Sequence, residues 1–437
     1  MSEQKQSSNV VAIIMMIFLF GMIAFVTNLA SPMGDVLKNQ FDVANWIGTL
    51  GVFANFIAYA VMGIPAGIML QKQGYKKTAL AAIAIGFIGV GIQTLSGTIG
   101  SSTAMIVYLL GAFVAGFSMC LLNTVVNPML NTLGGGGNRG NQLIQVGGSF
   151  NSLCGTAVII LTGILLPNIK EAKIENVFPL MFSALAIFAL AFVVIAISTI
   201  PEKNKASAVA QNKSQYGPLS FRHFILGAIA IFVYVGVEVG IPNVLNKWLQ
   251  NPDIDVLNAK QLGINAEAIA ASVAGTYWFL MLIGRLVGAS IARRVSAKSM
   301  LTGVSTIGLV FVVIAIFCPT DNFVNLPVFK NEAGALFGLA NVPVSAALLV
   351  LCGLCTSVMW GGIFNLAVEG LGRYTEKASG FFMVLVCGGG ILPLIQNYVV
   401  DISTYSTSYW VIAAGLIYLL YYALVGSKNV NKNIPVE

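Results

Sequence analysis

Stretches of about twenty apolar residues recur along the whole of this chain, and nothing else in it restricts the fold as tightly. An α-helix rises about 1.5 Å per residue, so about 20 residues are needed to cross a hydrocarbon core of about 30 Å. Twelve segments reach that scale, at residues 10–30, 45–70, 78–96, 104–130, 142–166, 177–199, 223–247, 267–291, 300–318, 345–370, 379–400 and 407–426. Charged residues make up 9% of the chain, where a soluble domain carries about 25%. The expectation is an all-α membrane protein with twelve transmembrane helices and the lipid bilayer as its solvent.

An even number of spans returns both termini to one side, and the basic residues choose which. With the N-terminus inside, the inner segments hold Lys5, Lys72, Lys76, Lys77, Arg139, Lys203, Lys205, Lys213, Arg222, Arg293, Arg294, Lys298, Arg373, Lys377, Lys428 and Lys432. The outer segments hold Lys38, Lys170, Lys173, Lys247, Lys260 and Lys330. This asymmetry predicts N-in, C-in. It also explains the net charge of +7 through topology and anionic headgroups, so no nucleic-acid partner is expected. The first span is long and lacks a small-residue cleavage site, which argues against a removable signal. All six cysteines lie in or at the edge of apolar spans, so no disulfide framework is expected. Cys352-Gly-Leu-Cys355 has redox-motif spacing, but small residues in a span serve helix packing.

Two internal similarities point to duplication. Asn127-Pro-Met-Leu-Asn-Thr-Leu-Gly134 and Asn365-Leu-Ala-Val-Glu-Gly-Leu-Gly372 each place an amide six residues before a Leu-Gly that closes an apolar run. Gly67, Lys72 and Lys77 after the second span repeat as Gly288, Arg293 and Lys298 after the eighth. Between the sixth and seventh spans lies the polar, Lys-rich segment 201–222. These features predict two pseudo-symmetric six-helix bundles, 1–200 and 223–437, joined by a cytoplasmic linker at 201–222. Such duplicated chains place a polar site between their halves. The outer segments 250–266 and 319–342 are long enough for surface structure of their own.

Polar side chains at lipid depth are costly unless they face protein or water, so they mark where function is sought. Thr27, Asn28 and Ser31 lie in the first span, Gln145, Ser149 and Asn151 in the fifth. In the fourth, Asn123, Asn127 and Asn131 are spaced by four and share a helix face. Pro128 there frees the carbonyl of Thr124, giving a kink and a spare acceptor. The second half adds Glu238, Asn243 and Asn246 with Pro242, then Trp278 and Arg285, Trp360 and Asn365, and Gln396 and Asn397. Amides both donate and accept, as a polyol requires, and aromatic faces suit the C–H face of a sugar ring. Glu238 is the one acid well inside a span. It can carry a proton, help hold Na⁺, accept sugar hydroxyls, or stand as the static partner of Lys247 or another base. Glu369, Arg285, Lys72 and Arg293 are placed towards the inner edge and read as gating or strut residues. A lone histidine, His223, at a membrane edge offers no hydrolytic machinery, so neither an enzyme nor a cofactor is expected.

The loop from Gly67 to Lys77 and its weaker copy resemble the signature loop of the major facilitator superfamily, with Gln71 where that loop usually carries an acid. Further pieces are similar to the fucose–galactose–glucose:H⁺ symporter family within it. They are Asn123-Thr-Val-Val-Asn127-Pro128 through Gly134, Ser149-Phe-Asn-Ser152, Tyr234-Val-Gly-Val-Glu238, Ile283-Gly-Arg285, Leu371-Gly-Arg-Tyr-Thr375 and Gly388-Gly-Gly-Ile-Leu-Pro393. The resemblance implies alternating access to a hexose or deoxyhexose in a bacterial inner membrane. It implies substrate contacts at Asn28 and Asn151. Fucose symporters of the family carry an acid at the place of Ser31 and a glutamate at that of Asn123; amide and hydroxyl cannot release a proton there. The glutamate of glucose/galactose members corresponds to Glu238. The expected function is therefore monosaccharide import coupled to H⁺ or Na⁺ through Glu238, by a monomer. Expected substrate contacts are Asn28, Asn123, Asn127, Gln145, Asn151, Glu238, Asn243, Trp278, Trp360, Asn365 and Asn397. A sugar uniporter and a non-transporting sugar sensor are the alternatives.

Overall fold

The computed structural model describes residues 2–41, 50–99, 103–165, 174–198, 200–201, 216–332, 335–431 and 433–436. Most of the expected linker 201–222 lies outside the described residues, as do Lys170, Lys173, Lys203, Lys205, Lys213 and Lys432. The side chains of Lys5, Ser31, Lys38 and Lys330 lie outside them too.

The described chain is helical apart from one hairpin. Helices α1 (Ser2–Phe41), α2 (Leu50–Gln73), α3 (Tyr75–Ser96), α4 (Thr103–Leu133), α5 (Gly137–Leu165) and α6 (Phe178–Ile197) form the first six spans. Helices α7 (Arg222–Gln250), α8 (Ala266–Ile291) and α9 (Ala297–Phe317) follow. The tenth span is interrupted, as α10 (Val344–Thr356) and α11 (Met359–Val368) with a turn at Ser357 and Val358. The eleventh is interrupted too, as α12 (Thr375–Val384) and α13 (Gly388–Ile402) around a 3₁₀ turn at Leu385–Cys387. Helix α14 (Tyr405–Tyr421) supplies the last. Among the described residues, eleven helices are long and apolar enough to cross a membrane. The remaining expected span, 142–166, is α5, which carries Gln142, Gln145, Ser149, Asn151 and Ser152.

Small residues set the helix spacing. A Cβ built on Gly89 of α3 would lie 2.5 Å from the amide nitrogen of Ala115 in α4, so these backbones touch. On Gly353 of α10 it would lie 2.4 Å from the carbonyl of Tyr277 in α8. Without a hydrophobic drive between helices in lipid, such close approach is the principal source of cohesion. Pro65, Pro128, Pro242 and Pro393 lie inside helices, where each removes one intrahelical hydrogen bond.

The basic loops also fasten helix ends, though not through matching positions of the repeat, since Lys76 and not Lys77 makes the contact in the first half. Lys76 Nζ donates to the carbonyls of Ala196 and Ser198, at 2.7 and 2.8 Å, closing the end of α6. Lys298 Nζ donates to the carbonyl of Leu424 at 3.0 Å, past the end of α14. In each half a lysine in the first turn of the third helix satisfies carbonyls near the end of the sixth, although Lys76 is one residue out of register with Lys298 in the repeat. The repeat glycines sit at crossings as well, Gly67 against Gly380 and Gly288 against Val358.

The long segments 250–266 and 319–342 hold structure of their own. Ala259–Leu262 is a short helix, and strands β1 (Phe323–Glu332) and β2 (Ala335–Pro343) pair antiparallel, with Val328 opposite Gly338. The hairpin is the one departure from an all-α chain. It is fastened to α8 by the Phe329 amide, which donates to Thr276 Oγ1 at 2.7 Å, and by stacking of Phe329 on Phe279 at 5.6 Å.

By packing, the chain divides into two compact units. One comprises residues 1–225, 368–387 and 429–437; the other, residues 226–367 and 388–428. The first segment of the eleventh span, α12, therefore packs with the first unit. Gly89→Val is expected to cost roughly 1–3 kcal/mol through overpacking of the α3–α4 crossing. A fall of several degrees in the thermal midpoint in detergent checks it. Gly91→Ala, whose Cβ would meet nothing within 4 Å, leaves the midpoint unchanged.

Candidate functional site

In the second unit the polar groups converge on an ion pair. Tyr234 and Glu238 stand one turn apart on α7, and Arg285 projects from α8. Arg285 Nη2 lies 3.3 Å from Glu238 Oε1, with side-chain exposures of 12% and 13%. A pair so withdrawn from solvent persists only when its remaining hydrogen-bonding capacity is filled. Arg285 Nε donates to the carbonyl of Ser357 at 3.2 Å. That carbonyl belongs to the break in the tenth span. The guanidinium thus joins α7 and α8 to the interruption between α10 and α11.

The same helices carry two aromatic pairs. The Tyr234 ring meets Trp360 edge-on at 6.4 Å, one turn beyond the break. Tyr277 meets Trp278 edge-on at 5.4 Å, and its hydroxyl is 2.9 Å from Thr356 Oγ1. Trp278 and Trp360 are half-buried, whereas Tyr234 and Tyr277 are fully buried. Glycine makes room for this: a Cβ on Gly284 would clash with Ser357. The arrangement supplies one anion, one cation and flat apolar faces, a set suited to a polyhydroxylated ring.

Arg285, grouped by sequence with the inner-edge basic residues, is the partner of Glu238. Lys247, weighed as that partner, instead donates to Asn397 Oδ1 at 2.8 Å. Asn397 Nδ2 in turn donates to Asn243 Oδ1 at 3.2 Å and to the Pro393 carbonyl at 2.6 Å. Asn243, Lys247 and Asn397 form a second polar cluster tying α7 to α13. Asn365 is buried in α11.

The first unit holds an amide array. Asn123, Asn127 and Asn131 of α4 are all buried. Asn123 Nδ2 donates to Tyr59 Oη at 2.7 Å, and Asn127 Nδ2 donates to the Asn123 carbonyl at 2.8 Å. Asn151 of α5 reaches the Phe20 carbonyl of α1 at 2.7 Å, tying those helices together. Asn28 donates to Ala24 at 2.8 Å, opposite Gly155, where a Cβ would lie 2.9 Å from its amide nitrogen. Gln145 is buried in the same helix as Asn151. The structure therefore joins Asn123 and Asn127 around Tyr59, and sets Asn28 and Asn151 along the α1–α5 seam. Lys72, Arg293 and Glu369 are exposed, and the Glu369 carbonyl is 2.9 Å from His223 Nε2.

Tyr59, Ser357 and Thr356 were not among the expected site residues. Tyr234 had a signal, since it lies four residues before Glu238 and shares its face. Tyr59 and Ser357 had none, because Tyr59 lies in an apolar run and Ser357 among small residues that read equally well as packing.

The comparisons with known proteins follow this geometry. Over 418 residues the chain is 27% identical to the glucose/galactose transporter of Brucella abortus, covering 94% of this chain and 93% of that one. It is 23% identical to the L-fucose-proton symporter of Escherichia coli, covering 86% and 85%. Among solved structures it matches FucP, a Major Facilitator Superfamily transporter in the outward conformation. The TM-score is 0.77 at 20% identity, over 97% of this chain and 100% of that one. A family model described as the Major Facilitator Superfamily matches residues 11–392. That match runs from within α1 to the first turn of α13, and the chain belongs to the Major Facilitator Superfamily.

Proposed function

We propose that this chain is a monosaccharide carrier working by alternating access, with import coupled to H⁺ through Glu238. The observation that carries the reading is the Glu238–Arg285 pair, nearly dry and fixed to the break in the tenth span. Protonating Glu238 cancels one partner's charge and loosens the pair. Arg285, still bonded through Nε to the Ser357 carbonyl, can then turn Nη2 to a sugar hydroxyl, so occupancy by a proton changes what the site can bind. Trp278 and Trp360 supply ring faces, while Asn28, Asn123, Asn127, Gln145, Asn151, Asn243, Asn365 and Asn397 supply hydrogen bonds. Relatives named for glucose/galactose transport and for L-fucose–proton symport support both a sugar substrate and a proton as co-substrate. Na⁺ fits the same carboxylate less well, since the guanidinium already occupies its charge.

We place both termini in the cytoplasm of a bacterial inner membrane and treat the carrier as a monomer of two six-helix halves. Glu369, Lys72 and Arg293 then stand at the inner face. A second reading rests on the same pair. If Arg285 and Glu238 never part, they are a strut, and the protein is a uniporter.

Two measurements test the proposal. Counterflow of labelled sugar across a panel of hexoses and deoxyhexoses is expected to be saturable for at least one. Asn127→Ala and Asn365→Ala should each weaken its apparent affinity roughly five- to ten-fold, the scale of one lost hydrogen bond. Unchanged affinity in both would remove them from the site. Accumulation in proteoliposomes is expected to follow an imposed proton gradient and to ignore a Na⁺ gradient. Glu238→Gln should abolish accumulation above equilibrium; equal accumulation under every gradient would reject coupling.

A further inference from the structure

The fourth helix contains a carbonyl that its own helix cannot satisfy. Pro128 has no amide hydrogen, so the carbonyl of Thr124 loses the donor four residues on. Thr124 is fully buried, and at lipid depth an orphaned acceptor must find a partner elsewhere in the protein. It finds one at the far end of the sequence. Ser379 of α12 donates through Oγ to the Thr124 carbonyl at 3.2 Å, and Ser379 is itself fully buried.

The neighbouring residue shows how α12 comes so near. Gly380 meets Gly63 and Gly67 of α2 backbone to backbone. A Cβ on Gly380 would lie 2.5 Å from the Cα of Gly67 and 2.6 Å from the carbonyl of Gly63. One on Gly63 would lie 2.7 Å from the amide nitrogen of Val384. At Gly63 and Gly380 no side chain larger than hydrogen fits without a backbone shift, and at Gly67 a Cβ would be tight. A third contact lies four residues before Gly380, where Tyr75 Oη donates to Glu376 Oε1 at 3.4 Å and both residues are buried. Helix α12 is thereby held by α2, by α4 and by the start of α3. It begins just after the loop containing Arg373, which the basic-residue asymmetry places on the inner side.

We propose that Ser379 and Gly380 are the residues that hold the inner end of this carrier shut, and that the kink at Pro128 is what presents the Thr124 carbonyl to them. In the first half of the sequence the proline creates the acceptor. In the second half a serine beside a closely packed glycine provides the donor. When the inner side opens, α12 leaves α2 and α4, and the carbonyl loses its partner. The contact is therefore worth more in the closed state than in the open one, which is what a positioning residue of alternating access requires. The inference rests on the alternating-access reading but not on the identity of the substrate.

The test uses the full-length protein in proteoliposomes, with its six cysteines replaced by alanine and Ala378→Cys added. Ala378 is fully buried on α12 beside the contact, so its reaction with N-ethylmaleimide reports opening. Labelling is measured without sugar. Ser379→Ala is expected to raise the labelling rate about five-fold, the population shift one neutral hydrogen bond gives. Ser379→Thr, which keeps the hydroxyl, should bring it back towards the starting rate. Pro128→Ala returns an amide donor to Thr124 and straightens the turn. It should raise labelling too, and combining it with Ser379→Ala should add little to either alone. Gly380→Leu should give the fastest labelling if it remains monodisperse on size exclusion. An unchanged rate in Ser379→Ala, or effects of the two substitutions that simply multiply, would overturn the proposal. Failure of the sugar reading would appear in counterflow with these labelling rates intact, so the two are separable.

Discussion

Lipid offers no partner to a backbone amide or carbonyl, and the irregular places in this chain are ordered by that constraint. A helix that runs unbroken needs no help. A helix with a proline or an interruption must have each freed group met by another part of the protein. The Thr124 carbonyl is met by Ser379, and the Ser357 carbonyl at the break in the tenth span is met by Arg285. In both cases the partner comes from a different helix. The breaks are thus also the points at which helices are tied to one another, and moving one helix exposes the other's debt of hydrogen bonds.

The same logic places the ion pair. Arg285 could not remain at this depth for the Ser357 carbonyl alone, because an unpaired guanidinium is far too costly there. Glu238 makes the residence tolerable, and it does so only while charged. On the proposed reading, a proton arriving at Glu238 acts on the tenth span through Arg285, without any need for a long pathway. The pair is largely withdrawn from solvent, with side-chain exposures of 12% and 13%, so water screens it little. On the proposed reading, one side chain links proton occupancy, sugar binding and the conformation of an interrupted helix.

Much of the architecture was legible in the sequence, for a physical reason. Apolar length and charge scarcity are demanded by lipid at every position, so the expected spans 78–96, 267–291 and 300–318 fall almost on α3, α8 and α9. Pro128 and its spare acceptor could be foreseen because the loss of an amide hydrogen is local chemistry. The acceptor's partner could not, since Ser379 lies 255 residues away and looks like any small residue in a span. The Arg285–Glu238 pair was hidden for the same reason: charge and depth were visible, but the facing of α8 towards α7 was not. Room for surface structure at 319–342 was legible from length, but its form as the hairpin β1–β2 was not, because the strands pair across a register that no local signal marks. The breaks at Ser357 and at Leu385–Cys387 left no mark that distinguishes them from glycine-rich packing.

The most direct test of the central claim is to watch the proton itself. Cells or right-side-out vesicles carrying the protein are suspended in weak buffer without energy, and a counterflow-active sugar is added. Movement of sugar inward with H⁺ through Glu238 predicts a transient external alkalinisation, absent in Glu238→Gln even though that variant still exchanges labelled sugar. No pH change with the unaltered protein, or the same change in Glu238→Gln, would contradict the account.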